Sequence, residues 1–421
     1  MEKVVKPFSS KLEKLVVNIV VTLVIMSLVA CDESSSSTQG TQFSQAITVP
    51  SQPSNNFNQT LLLQNLTDNV IVPTYTKFAQ LAIAQETAIG DYCNALTSQA
   101  IDTDAKNASA KKSWRDVMDI WQIAEVMQIG PLLRNNSTLR NKIYSWPNTS
   151  DCALDQDVVL AEQEGYDIST RTDSRKGLDA IEYLLFNQNL DHSCTVFGTD
   201  PQGWNNRTNE DRTVARCGLA KIAATELVYN GQELLTAWNG NETIEGYADI
   251  LKNAGQVDSI FNNVHDAVNT VSDAIFYIET FTKDAKLATP LGVFANDCGL
   301  TPCAKNVESR FAYYSLKNTI SNIQGLNMIF TGGETDAGIG FEDYLLDVGA
   351  TDTATQMRKN LTDVIEFAMT LQQSLTELLA QDPEQVQQVH DQLKKVTDSM
   401  KADFIQSLAL ELPATSAGDN D

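Results

Sequence analysis

The stretch SWRDVMDIWQIAEVMQIGP, residues 113–131, decides the fold class. Trp114, Val117, Met118, Trp121, Ala124 and Gln128 recur at the spacing of one helical face, with Arg115, Asp119 and Gln122 on the other side. Gly130 and Pro131 then close the helix. Similar periodicity returns at about 57–98, 208–238, 255–286, 304–330, 355–380 and 384–409, and alternating strand patterns are missing. The expected class is all-α. Seven or so long helices exceed one four-helix bundle, so two packed bundles are expected, with the polar stretch around 239–255 crossing between them. The boundaries read as 57–240 and 241–421.

The first thirty residues stand outside this fold. Lys3, Lys6, Lys11 and Lys14 precede the apolar run LVVNIVVTLVIMSLVA, which ends at Cys31, so residues 1–30 read as an export signal. Small residues before Cys31 and the polar tract after it resemble a bacterial lipoprotein processing site, which makes Cys31 the acylated residue; a plain membrane anchor is the alternative. Residues 31–56, rich in Ser, Thr, Gln and Asn, read as a flexible tether. Asp32 and Glu33 resemble the signal that retains such proteins in the inner membrane of enteric bacteria. The expectation is an exported, periplasmic, lipid-anchored protein.

Six further cysteines, Cys93, Cys152, Cys194, Cys217, Cys298 and Cys303, read as three disulfides, with no CxxC to suggest a metal cluster. The expected pairs are Cys298–Cys303, Cys194–Cys217 and Cys93–Cys152, one of fifteen connectivities. The formal charge is −24. Four Lys and two Glu give the leader +2, so the remainder carries −26. So acidic a surface argues against nucleic acid as a partner and favours solubility and cations.

Within RKGLDAIEYLLF, residues 175–186, Asp179 and Glu182 lie one turn apart beside an apolar stripe of Leu178, Ile181, Leu184 and Leu185. Partly buried like charges need a cation, donors or a metal. A structural pair satisfied by Arg171, Arg175 or another buried cation is one reading; a ligand site is the other. Gly177 removes a side chain where something approaches closely.

Five pieces in order then carry a resemblance: SWRDVMDIWQIAEVMQIGP, IYSWPNTSDCALDQDVV, GLDAIEYLLF, NIQGLNMIFTGG and GIGFEDYLLDVGA. Together, over roughly residues 60–410, they are similar to the imelysin-like family of bacterial exported proteins. The resemblance implies two helical bundles arranged as a pseudo-repeat, a site near their interface, an association with iron acquisition, and an old metallopeptidase label. The family's Gly-x-His-x-x-Glu motif reads here Gly177-Leu178-Asp179-Ala180-Ile181-Glu182. With Asp179 in the histidine position the pair offers only hard oxygens, suited to iron(III), Ca²⁺ or Mn²⁺ better than to zinc. A zinc hydrolase needs more nitrogen ligands than His192, His265 and His390 supply at their spacings.

Glu125 matches the family's acidic position before Gly-Pro and completes the expected carboxylate set with Asp179 and Glu182. Arg115 or Arg175 is expected as cationic complement, with Trp121 beside the site. The leading reading is a metal or metal-chelate binding component of an uptake system, partnered by periplasmic iron-transport or redox proteins. The alternatives are an interaction module with a decayed site, and a metal-dependent peptidase.

Overall fold

The computed structural model describes residues 56–195, 199–335, 337–414 and 416; the expected leader, the Cys31 anchor and nearly all of the tether lie outside them. Asn58 starts α1 (Gln59–Asn65) by accepting the Leu61 N–H at 3.1 Å. There follow α2 (Val72–Thr97), α3 (Thr103–Glu125), α4 (Arg134–Ile143), α5 (Asp151–Leu160), α6 (Gly177–Phe186) and α7 (Asn209–Asn239). The second half holds α8 (Tyr247–Lys252), α9 (Val264–Ile275), a π-helical segment Ile278–Ala288, α10 (Ser315–Thr331), α11 (Phe341–Asp347), α12 (Thr351–Thr370), α13 (Leu375–Gln381) and α14 (Pro383–Ser399). No strand occurs among the described residues, and the class is all-α.

Helices α2, α3, α6 and α7 pack as one bundle, while the π-helical segment, α10, α12 and α14 form a second. They meet where α3 crosses α10. The approach is close because Gly325 has no side chain: a Cβ there would lie 2.6 Å from the Ile123 carbonyl. Trp114, Val117, Met118, Trp121 and Ala124 are all buried, as their periodicity predicts. Gln122, expected on the polar side, is buried too, because α3 lies between α2 and α10 and buries more than one face. The segment ahead of α2 packs across the other half: Phe57 stacks on Tyr344 at 4.4 Å, and Asn65 donates to the carbonyls of Gly332 and Ile339.

Three expected helices are shorter than their periodicity suggested: the 255–286 pattern becomes helical only at Val264. Residues 304–314 form turns rather than the start of α10, and the 355–380 pattern breaks between α12 and α13. The disulfides also differ from expectation. Cys298–Cys303 forms, but Cys93 pairs with Cys217 and Cys152 with Cys194. The reason is that α2 and α7 lie side by side, which brings Cys93 and Cys217 to a Cα separation of 5.6 Å across 124 residues of sequence.

Candidate functional site

The start of α6 is set by Gly177, whose φ of +82° is disfavoured for other residues, and where a Cβ would sit 2.5 Å from the Ile143 carbonyl at the end of α4. That approach places Asp179 against the segment leaving α4. The N–H and hydroxyl of Ser145 donate to Asp179 Oδ1 at 3.2 Å and Oδ2 at 2.7 Å. One turn on, Glu182 Oε1 accepts the N–H groups of Phe311 at 2.9 Å and Ala312 at 3.0 Å. These come from the unexpected turn at 308–314, flanked by left-handed Ser309 and Tyr313. No donor among the described residues reaches Glu182 Oε2.

Asp179 is 7% exposed and Glu182 5%. Burial pushes Asp179 up to about 6 against the pull of its Ser145 bonds. Burial likewise pushes Glu182 up to about 8, with the negative charges of Glu308 and Asp179 adding to it. Both line a cavity of about 420 Å³ with Tyr144, Trp146, Asp151 and Tyr183 from the first half, and Asp297, Lys305, Arg310 and Phe311 from the second.

Near this cavity lies a buried ion network. Lys286, Glu125 and Glu308 are all fully buried. The Lys286 ammonium lies 2.9 Å from Glu125 Oε2 and 3.0 Å from Glu308 Oε1, and donates to Gln122 Oε1 at 2.5 Å and Asn322 Oδ1 at 2.9 Å. Tyr277 donates to Glu125 at 2.6 Å and Tyr144 to Glu308 at 2.7 Å. Burial holds both phenols well above their ordinary range. The network spans both bundles, since Gln122 and Glu125 belong to α3, Lys286 to the π-helical segment and Asn322 to α10. A π-helical stretch at such a place is a common sign of a functional region.

The residues singled out from the sequence therefore part company. Asp179 and Glu182 share the cavity wall, whereas Glu125 is absent from the lining and is bound to Lys286 and Tyr277, with Arg140 at 3.6 Å. Trp121 packs on Phe78 in the core, its ring centre 5.0 Å away. Arg115 lies over the rings of Phe186 and Tyr314. Arg175 serves Asp157 and the Ala153 carbonyl. The cations at the site are Lys286, Arg140, Lys305 and Arg310, none of which local periodicity marked. His192 lies 3.6 Å from Asp200 and does not line the cavity. Among the described residues no group of three or more His, Cys, Asp and Glu is poised to hold a metal ion.

The sequence matches the imelysin family, Peptidase M75, over residues 71–402. It is 26% identical over 267 residues to "Iron-regulated protein A" of Synechococcus elongatus, a match covering 63% of this chain and 61% of that protein. The fold is similar to the crystal structure of a protein named as an iron-regulated protein A precursor from Parabacteroides distasonis, with TM-score 0.66 and 17% identity, over 86% of this chain and 97% of that one. It is also similar to the crystal structure of an imelysin-like protein from Psychrobacter arcticum 273-4, with TM-score 0.61 and 15% identity, over 84% and 96%.

Proposed function

We propose that this chain, which belongs to the imelysin family, is an exported binding protein for a hard metal ion, iron first, serving uptake rather than catalysis. The observation that carries the reading is the pair of buried carboxyls on one cavity wall, Asp179 and Glu182, with Glu182 Oε2 left without a donor. Carboxyl oxygens suit hard cations such as Fe³⁺, Mn²⁺ and Ca²⁺. The relative named for iron regulation supports iron among them.

The donor set fits such an ion in part. Both Asp179 oxygens already accept bonds from Ser145, so two carboxyl groups supply only part of a six-coordinate sphere. Water or other ligand atoms must supply the rest. Peptidase chemistry finds less support, because the cavity lining contains no histidine, where a zinc hydrolase ordinarily uses several nitrogen ligands. Lipid anchoring through Cys31, a periplasmic location and docking to transport or redox partners belong to the same proposal and rest on the sequence.

Calorimetric titration of the purified chain with ferric, manganese and calcium salts or chelates, against the Asp179→Asn, Glu182→Gln double variant, tests the reading. Binding at micromolar concentrations that the double variant loses is expected. A folded wild type that binds none of them would overturn it.

A further inference from the structure

We propose that the cavity takes its cation as an anionic chelate, a metal already held by a small polycarboxylate, and that Lys305 and Arg310 recognise the organic part. This rests on the metal-binding reading above.

Two shortages and one surplus lead there. The protein supplies too few donors for a bare ion: each Asp179 oxygen already accepts one bond from Ser145, Glu182 offers Oε2, and no third His, Cys, Asp or Glu converges among the described residues. A space of about 420 Å³ is far larger than one ion needs and suits a small organic molecule. The surplus is one basic group on the lining that no acid neutralises. Lys305 lines the cavity and makes no ion pair among the described residues. Arg310 is fixed at the same wall by Asp151, by the Lys305 carbonyl at 3.2 Å and by the Phe311 ring, 4.7 Å from its guanidinium carbon. Its planar fork matches a carboxylate better than a point charge would.

A bare cation would leave Lys305 without a counter-charge. A free polycarboxylate would instead be repelled by Asp179 and Glu182 once they ionise. A ligand with a cationic centre and an anionic rim answers both the carboxyls and Lys305. Asp297 is an exposed rim residue, and Asp151 is already tied to Arg310. The backbone leading to Lys305 is also held in advance: the Cys298–Cys303 disulfide closes the loop before it, and the Cys303 N–H donates to the Pro290 carbonyl at 2.8 Å. Fixing such groups before binding spares the ordering cost of capture.

The test is equilibrium dialysis of the full-length chain against ferric iron held by radiolabelled citrate and, separately, against ferrous iron supplied without chelator and without oxygen. Iron and label retained together are expected, with Lys305→Gln and Arg310→Gln each weakening retention by about tenfold. Because Arg310→Gln could loosen its turn, the exposed Lys305 and the radiolabel provide the deciding measurements. Iron retained without label, or chelate binding indifferent to Lys305→Gln, overturns the inference and leaves the metal reading standing. Iron retained from neither source by folded wild type overturns that reading, and this one with it.

Discussion

Two pairs of buried acids lie close together in this molecule and are treated differently. Glu125 and Glu308 share the Lys286 ammonium and are further bonded by Tyr277, Tyr144 and Gln122. Asp179 and Glu182 are nearly as buried but receive only neutral donors, from Ser145, Phe311 and Ala312. The first pair shares a cation supplied by the fold and joins two bundles, although Glu125 Oε1 and Glu308 Oε2 accept no hydrogen bond among the described residues. The second has neutral donors but no cation, burial raises both of its pKa values, and carboxyls so perturbed in a cavity are candidates for a functional site. Compensation, rather than burial, separates structure from site here.

The difference between the pairs is largest in stability at Lys286. Lys286→Met should remove the cation that two fully buried carboxylates share, costing about 3–5 kcal/mol. Urea denaturation at neutral pH checks it, and a change below about 1 kcal/mol would mean that the network is less important to the fold than its burial implies.

At the cavity the expected signature is pH. Folding raises Glu182 from its ordinary 4.5 to about 8, so the folded state holds this proton more tightly than the unfolded chain. Its stabilisation is complete below about pH 4.5 and is lost as pH rises towards 8. Asp179 behaves alike between 3.8 and about 6. Between about pH 6 and 8 Glu182 acts alone, and stability should fall by about 1.4 kcal/mol per pH unit. Glu182→Gln keeps the acceptor for Phe311 and Ala312 without the proton, and should flatten that stretch. Denaturation midpoints at pH 6, 7 and 8 decide it; parallel wild-type and variant curves would refute the shift.

Ligand affinity should run in the opposite sense. A cation must displace the Glu182 proton, so from about pH 6 to 8 affinity should rise by up to about tenfold per unit, and more steeply below pH 6 where Asp179 is also protonated. Titration with a ferric chelate at pH 5.5, 7 and 8.5 gives the slope. A flat profile would move the ligand away from these carboxylates.

How much of this was legible in the sequence follows from how local each signal is. The α3 stripe and the Asp179–Glu182 pair repeat within one or two turns, so a helical period finds them. Lys286 escaped because the sequence marked 255–286 only as one helical pattern; the segment around it is π-helical, and both Lys283 and Lys286 are buried there. Glu308 sits in a turn where a helix was expected, and only tertiary contact with Tyr144 and Lys286 gives it a role. The two missed disulfides have the same origin, since helix adjacency, not sequence proximity, selects their partners.

The arginines singled out from the sequence should give the smallest effects. Arg175 shares the fully buried Asp157 with Arg171, so Arg175→Ala leaves that acid one cation and should cost about 1–2 kcal/mol. Arg115 lies over the Phe186 and Tyr314 rings and makes no ion pair among the described residues, and Arg115→Ala should cost about 0.5–1 kcal/mol. Neither group lines the cavity, so chelate affinity should be unchanged in both variants. If Arg115→Ala weakened binding while stability held, the cationic complement of the site would extend across α3, and the division between compensated network and open cavity would have to be redrawn.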